Sequence, residues 1–466
     1  MLFNSYEFLF FLLPAVLAGY YLLLPKAWRH GWLAIASYVF YGWWDYRFCG
    51  LLLLTTAIDY VAGGHIAAAP DPRGRKRWLW LSISSDLTIL GFFKYYDLGA
   101  ETINQMSGWL GADSGMVPLL HLVLPVGISF YTFQAMSYSI DIYRGHARPA
   151  RSFIDFACYV SLFPQLVAGP IVRYHEIDRQ LRQRSHTWAK AGAGIVLFVM
   201  GLAKKVLLAD AMAPMADWAF AQAAPGLAGA WTGLLAYTLQ IYFDFSGYSD
   251  MAVGLGLLLG FQFPQNFHSP YKSVSITEFW RRWHISLSSW LRDYLYVPLG
   301  GNRRGPVRTY VNLFLTMLLG GLWHGANWTF LLWGAYHGML LAGERMLGKR
   351  GLAWALPRPL QMAFTFVLVM IGWVLFRAPT LAGAGRMIAG LAGINGWGTV
   401  WPLTGTGVLN WGMLALGLGL TFAARNTWEI RWRPSGWLAA TLLVLLALCV
   451  AVFLVNTSSP FLYFQF

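Results

Sequence analysis

Charged side chains are scarce in this chain. They make up 12% of its 466 residues, whereas 57% are hydrophobic; a soluble domain carries about 25% charged residues. Many apolar stretches reach the roughly 20 residues that a helix needs to cross a bilayer. A large soluble protein would need polar helix faces, which this sequence does not supply. The composition therefore predicts an all-α polytopic membrane protein.

Cysteine is also rare, and the N-terminal residues lack the features of a signal peptide. Cys49, Cys158 and Cys449 are scattered among apolar segments, which predicts neither a disulfide framework nor a metal cluster. The first 25 residues have no basic region, and Glu7 precedes their apolar run. No small-residue cleavage site follows, so we expect a retained first helix instead of a signal peptide.

The net charge of +14 does not indicate nucleic-acid binding, because the basic residues occur in short loops between apolar spans. That distribution is the positive-inside pattern of membrane proteins. Alternating the loops between the two sides gives about 11 transmembrane helices, with both termini outside. No internal repeat and no linker divides the chain, so we expect one membrane domain over residues 1–466.

Two apolar stretches do not fit single crossings. Residues 153–172 have basic loops at both ends, and Pro164, Gly169 and Pro170 would interrupt a helix. A re-entrant segment beside a cavity is the interpretation we favour, since irregular backbone at membrane depth must be buried in protein or face water. Residues 231–260 are too long for one span.

Within the second stretch, Gly247 offers a break between Asp244 and Asp250. We expect these carboxylates either to orient a catalytic group or to cap a second half-helix. Residues 261–309 follow, with seven Lys or Arg against two acids. They predict a cytoplasmic amphipathic helix at the interface, which Ser275 or Thr277 could cap by accepting a free N–H of the first turn.

His324 lies in a run without charge. From Tyr310 to Gly343 there are 34 residues without Asp, Glu, Lys or Arg, and one helix of that length would be about 51 Å long. Gly320-Gly321 and Gly325 predict two half-helices that meet near mid-membrane. His324 would lie in that break, with Asn327 and Trp323 as polar partners within one turn. A histidine inside the membrane is a candidate for function, and a neutral imidazole acts as a general base; the alternative is a histidine that only hydrogen-bonds broken backbone.

His284 lies on the predicted interfacial helix, in the sequence RRWHISLS. The neighbouring Arg281 and Arg282 would attract a cofactor that carries phosphate. A polar-face histidine beside two snorkelling arginines explains the same sequence equally well.

Five segments together resemble the membrane-bound O-acyltransferase (MBOAT) superfamily, most closely its bacterial branch of alginate O-acetyltransferase and teichoic-acid D-alanylation membrane proteins. They are LPVGISFYTFQAMSYSIDIYRG (124–145), FPQLVAGPIVRY (163–174), YFDFSGYSDMAVGLG (242–256), NFHSPYKSVSITEFWRRWHISLSSWLRDYLYVPLGGNR (266–303) and GLWHGANWTFLLWGAYHG (321–338). The likeness extends over nearly the whole chain.

The resemblance implies an MBOAT fold of about 11 transmembrane helices, with re-entrant and interfacial helices, around a central funnel. It implies a catalytic histidine at His324 and a second motif histidine at His284. The donor it implies is acetyl-CoA, taken from the cytoplasmic side of a bacterial inner membrane, with no permanently bound cofactor. The partners it implies are a periplasmic SGNH-type acyltransferase and a polysaccharide synthase or export complex.

The C-terminal tail, residues 457–466, is uncharged and closes PFLYFQF. It resembles the C-terminal tyrosine motif of small partner peptides in D-alanylation systems and of alginate-type acyltransferases. We therefore hypothesise that Tyr463 enters the outer funnel, is deprotonated by His324 and carries the acyl group over some of the distance, since a covalent relay divides one long transfer into two. The alternative is an aromatic anchor at the membrane surface.

These expectations combine into O-acetylation of an exported polysaccharide of the alginate or cellulose type. An MBOAT that acylates a lipid, a protein or peptidoglycan shares the same chemistry. A polysaccharide transporter is the third alternative, but many such folds have repeated halves, and the sequence shows none.

Overall fold

The computed structural model describes residues 1–111, 115–348, 353, 355–430, 432–455 and 461–462. Over these residues the regular secondary structure is entirely helical, which confirms the all-α expectation. The chain divides into two compact units, one of residues Met1–Ala191 with Leu255–Phe263 and the other of Gly192–Gly254 with Pro264–Phe466. The single domain over residues 1–466 and the tail over 457–466 stay predictions.

The first unit contains most of the N-terminal helices. They are α1 (Leu13–Ala18), α2 (Arg29–Asp45), α3 (Arg47–Ala68), α4 (Pro72–Trp109), α5 (Ile128–Arg144), α6 (Phe153–Ser161), α7 (Phe163–Leu166) and α8 (Tyr174–Arg182). Short π-helical turns at Phe8–Leu12 and Gly19–Leu23 and a 3₁₀ turn at Lys26–Trp28 complete it.

The second unit holds the segments that carry the candidate site. Its helices are α9 (Trp188–Ala203), α10 (Asp210–Ala221), α11 (Leu227–Leu258), α12 (Ile276–Arg282), α13 (Ile285–Leu291), α14 (Gly305–His324), α15 (Trp328–Met346), α16 (Arg358–Arg377), α17 (Leu381–Leu391), α18 (Thr406–Phe422) and α19 (Gly436–Val455). The first turn of α9 and the last turn of α11 belong to the first unit. π-helical turns at Lys204–Ala209 and Arg292–Tyr296 and a 3₁₀ turn at Pro270–Lys272 lie between them.

Membrane character follows from helix length and composition. Within the described residues, four helical stretches are long and apolar enough to cross a bilayer: Arg47–Ala68, Trp188–Ala221, Arg358–Arg377 and Gly436–Val455. The last has a mean hydropathy of 3.1, yet only 6% of it is buried inside the protein. Such an exposed apolar surface is stable only against lipid, so the protein is a multi-pass membrane protein. The count of about 11 spans stays a prediction.

The stretch at 153–172 is broken, as predicted. Helix α6 ends at Ser161, and the four-residue α7 carries Pro164 at its start. A Cβ on Gly169 would lie 2.5 Å from the Cα of Gln165, so only glycine permits the chain to turn back this tightly. Whether the segment is re-entrant, and whether a cavity adjoins it, stays a prediction.

The predicted break at Gly247 is wrong. Helix α11 runs without interruption through 32 residues. The glycine serves a close helix crossing instead, because a Cβ at Gly247 would lie 2.6 Å from the carbonyl oxygen of Gly201 in α9. Without a second half-helix, neither Asp244 nor Asp250 can cap one, and that hypothesis fails as well.

The predicted break at His324 is confirmed, although not at every glycine. Helix α14 ends at His324, and α15 begins at Trp328 with Asn327 as its cap, whose side chain accepts the Thr329 N–H at 3.0 Å. Gly320-Gly321 remains helical. Gly321 faces the carbonyl of Phe330 so closely that a Cβ would collide with it, so this glycine packs α14 against α15 and does not interrupt either helix.

Candidate active site

His324 lies at the C-terminal end of α14, inside an aromatic shell. Its side chain is buried, and its ring centroid lies 5.1 Å from those of Trp323 and Trp333 and 5.2 Å from that of Phe376. Trp323 therefore contacts His324 through its ring, and Asn327 positions the following helix. Water is largely excluded from such a shell, which strengthens any electrostatic interaction formed inside it.

His284 lies in the turn between α12 and α13, which the structure shows as two short helices instead of the one predicted helix. Ser275 caps α12 by accepting the Glu278 N–H at 3.1 Å. Thr277 is not the cap; it is held with Ile276 by the buried carboxylate of Glu344, which accepts both of their N–H groups at 2.8 and 2.6 Å.

The backbone at His284 is strained. Its φ of 43° and ψ of 55° lie in the left-handed region, which costs a residue with a Cβ about 1–3 kcal/mol. Two backbone hydrogen bonds hold the turn against the preceding extended segment: Ile285 N–H donates to the Asn266 carbonyl, and His268 N–H to the Arg282 carbonyl, each at 2.9 Å. Strain maintained in this way is typical of functional sites.

Asn266 fixes the orientation of the His284 ring. Its side-chain oxygen accepts the N–H and the hydroxyl of Ser286, at 3.2 and 2.9 Å, and lies 3.2 Å from Nδ1 of His284. Because that oxygen only accepts, Nδ1 must carry the proton, and Nε2 is then the basic nitrogen. The turn lies outside the four helical stretches that are long and apolar enough to cross a bilayer. Complete burial lowers the pKa of His284 from 6.5 to about 3, so the ring is neutral at pH 7.

The two motif histidines come together. Their ring centroids are 6.4 Å apart, and Trp323 touches both rings. The spacing is too long for a direct hydrogen bond but suits one reacting group or water between them. The two histidines predicted from the sequence thus lie close together, although 40 positions separate them, and their catalytic role stays a prediction.

Sequence reasoning missed two polar residues of this site, Asn266 and His337. His337, in α15, is completely buried; its Nδ1 accepts from the indole N–H of Trp280 at 3.4 Å. The ring centroid of Trp333 in α15 lies 5.1 Å from that of His324 and 5.0 Å from that of His337. A second histidine four residues beyond Trp333, in the same uncharged run, was the available signal, since i and i+4 share a helix face.

The two carboxylates on α11 form ion pairs. Asp250 accepts from Lys204 Nζ at 2.6 Å and from the indole N–H of Trp428 at 2.8 Å, so it ties α11 to neighbouring segments. Asp244 pairs with Lys205 at 2.7 Å. These contacts are made to lysine and indole groups, so a direct role of either carboxylate in orienting a catalytic histidine stays a prediction.

Of the two arginines expected to attract phosphate, one is already paired. Arg282 forms an ion pair with Glu278 at 2.7 Å, one turn earlier, whereas Arg281 is exposed. Tyr463 lies outside the described residues, and its role in the site stays a prediction. Over the described residues, no group of His, Cys, Asp and Glu has the make-up of a metal site.

Comparison with known proteins identifies the class. Residues 144–375 match the sequence model of MBOAT, the membrane-bound O-acyltransferase family. Curated acyltransferases align with 85% of the chain at about half identity. The chain therefore belongs to the membrane-bound O-acyltransferase family and is an O-acyltransferase.

Three relatives show which branch it resembles. The protein named probable alginate O-acetylase AlgI of Azotobacter vinelandii is 51% identical over 398 residues, 79% of its length, and that of Pseudomonas aeruginosa is 51% identical over 403 residues, 76% of its length. A peptidoglycan O-acetyltransferase of Helicobacter pylori is 37% identical over 434 residues, 80% of its length. Each also covers 85% of this chain.

Proposed function

We propose that this enzyme transfers an acetyl group from acetyl-CoA, bound at the cytoplasmic side of a bacterial inner membrane, toward an exported polysaccharide of the alginate type. The observation that carries the proposal is the buried His284–His324 pair, whose ring centroids are 6.4 Å apart. Relatives named as alginate O-acetylases, at 51% identity, support the choice of polymer.

His324 is the general base. It takes the proton of the attacking hydroxyl while the oxygen–acetyl bond forms and the carbon–sulfur bond of the thioester breaks. The imidazolium then returns the proton to the departing thiolate, so that free CoA leaves as a thiol. His284, which is neutral and is held by Asn266, keeps Nε2 as a hydrogen-bond acceptor and helps to position the reacting group beside His324.

Tyr463 supplies the first attacking hydroxyl, and a periplasmic SGNH-type serine acyltransferase takes the acetyl group from it. The support is the sequence of the tail and the burial of the two residues before it, Phe461 and Leu462. At the cytoplasmic side, Arg281 is the better candidate for a CoA phosphate, because Glu278 already neutralises Arg282.

Labelled acetyl-CoA tests this function. Purified enzyme incubated with it should carry label on the C-terminal peptide, as read by mass spectrometry, and His324→Ala should carry none. Wild-type rates of polymer acetylation in His324→Ala membranes would refute the assignment of the base. Tyr463→Phe keeps the ring and loses the hydroxyl, so unchanged acetylation in that variant would leave only an anchoring role for the tail.

Peptidoglycan is the second candidate acceptor, because one relative at 37% identity is named a peptidoglycan O-acetyltransferase. The two polymers are separated by measuring base-labile acetate on each in a strain that lacks the gene. Loss from the exported polysaccharide alone supports alginate-type activity, and loss from the cell wall alone supports the alternative.

A further inference from the structure

The last described residues of the chain lie in the interior of the second unit. Phe461 is completely buried and Leu462 is 5% exposed. The N–H of Leu462 donates to Oδ2 of Asp244 at 2.9 Å, and the ring of Phe461 stacks on Tyr248 with centroids 4.5 Å apart. Asp244 and Tyr248 are four residues apart on α11 and therefore share one helix face, which offers the tail one hydrogen-bond acceptor and one ring.

The charge around Asp244 favours this contact. Lys205 lies between two carboxylates, 2.7 Å from Asp244 and 2.7 Å from Asp210. A backbone N–H that donates to a carboxylate forms a stronger bond than one that donates to a neutral acceptor. Because the N–H belongs to the backbone, the bond fixes the position of the chain, whereas the Tyr248–Phe461 stack selects for an aromatic side chain.

The ring of Phe245 lies near both Phe461 and His284. Phe245 follows Asp244 directly, and its centroid lies 6.1 Å from that of Phe461 and 4.7 Å from that of His284. The ring of Phe245 therefore neighbours both Phe461 and the His284 imidazole of the candidate active site. Tyr463 follows Leu462 directly in the sequence.

We propose that Asp244 and Tyr248 form a binding seat for the C-terminal segment, and that Asp244 is a positioning residue that presents this segment to the His284–His324 pair. The inference deepens the proposed function, since the reason to hold the tail there is its use as acyl carrier. The seat itself depends only on contacts of Phe461 and Leu462, so seating and acylation can be measured separately.

Trimming by carboxypeptidase A measures seating in the purified full-length enzyme. The wild type should resist removal of Leu462 and Phe461, as read by intact mass, whereas Asp244→Ala should lose them about tenfold faster or more, since a hydrogen bond to a charged group is worth about 1.5–3 kcal/mol. Asp250→Asn is the matched control: it removes a second buried carboxylate from α11, one that pairs with Lys204 and Trp428 and not with Phe461 or Leu462, and should keep the wild-type trimming rate.

Labelling with acetyl-CoA measures presentation. Asp244→Ala should lower the initial rate of label on the C-terminal peptide in proportion to the loss of seating, with an unchanged KM for acetyl-CoA. Asp244→Asn, whose amide oxygen still accepts the Leu462 N–H, should recover some of the rate. Phe461→Ala leaves the ion pair between Asp244 and Lys205 intact and should also loosen the tail. This variant therefore tests the seat even if Asp244→Ala fails to fold.

The outcomes separate the two ideas. If Asp244→Ala and Phe461→Ala both trim and label as the wild type does, the seat is wrong, whatever carries the acyl group. If both variants trim faster while wild-type enzyme never carries label, the seat stands and the tyrosine relay of the proposed function fails.

Discussion

Nδ1 of His284 lies 3.2 Å from the side-chain oxygen of Asn266, which also accepts both donors of Ser286. This contact sets the tautomer of the imidazole, whose ring centroid lies 6.4 Å from that of His324. Asn266 thus decides which nitrogen of His284 carries the proton and which one is left as an acceptor.

Asn266→Ala should therefore lower kcat about 10- to 100-fold and leave the KM for acetyl-CoA unchanged. Loss of a general acid or base itself typically costs about 10²–10⁴-fold, and loss of a residue that only orients one should cost less. The measurement is steady-state acetyl transfer in reconstituted membranes. Ser249→Ala is the matched control, because it removes only the partner of the Asn266 amide N–H at 3.0 Å and should cost less. Full activity in Asn266→Ala would show that the orientation of His284 is irrelevant to the reaction.

Removal of the proposed base should have a larger effect. His324→Gln keeps a polar side chain of similar reach but cannot act as a base at neutral pH, so we expect kcat to fall about 10²–10⁴-fold. His268→Gln provides the comparison, since His268 is half exposed and pairs with Glu429 at 3.1 Å outside the aromatic shell. Equal losses in the two variants would argue against a catalytic role for His324.

Burial of His284 has a consequence for stability. Its pKa is lowered to about 3, against about 6.5 in the unfolded chain, so between those values the unfolded state binds the extra proton. Above pH 6.5 the histidine is neutral in both states and protonation does not affect the free energy of unfolding. As the pH falls from 6.5 toward 3, the free energy of unfolding decreases by about 1.4 kcal/mol per pH unit. Thermal unfolding in detergent from pH 7.5 to 4.5 should show a shallower decline of Tm for His284→Gln than for wild type. Parallel declines would contradict the assignment of a neutral, buried His284.

The sequence indicated some residues of this site and not others, for physical reasons. His324 could be predicted because an uncharged run too long for one helix must break, and Gly325 marks the break. The break predicted at Gly247 was wrong because glycine permits both a helix break and a close helix crossing. The position of α9 decides between the two, and the sequence does not give that position. Asn266 could not be predicted, since it reaches His284 through a turn 18 residues later and no periodicity connects them.

His337 offers a test of the aromatic shell beyond the two motif histidines. A Cβ at Gly372 would lie 2.8 Å from Nε2 of His337, so Gly372→Ala should displace that imidazole and cost about 1–3 kcal/mol of stability. In α18, Gly419 has nothing within 4 Å of its Cβ position, and Gly419→Ala should be neutral or slightly stabilising. The measurement is the Tm of each variant relative to wild type. An unchanged Tm for Gly372→Ala would mean that His337 can move without loss of stability.

Glu344 on α15 connects the stability of α12 to the placement of His284. Its buried carboxylate accepts the N–H groups of Ile276 and Thr277 and, at 2.7 Å, the Thr277 hydroxyl, at the helix end where a negative charge is favoured. Glu344→Gln removes that charge and replaces one acceptor oxygen with a donor, so we expect a loss of about 1–2 kcal/mol and a lower kcat, because α12 leads directly into the strained turn at His284. Glu278→Gln, which weakens a half-exposed pair with Arg282, should cost less than about 1 kcal/mol. If Glu344→Gln lowered Tm without lowering kcat, the carboxylate would stabilise α12 without positioning the histidine.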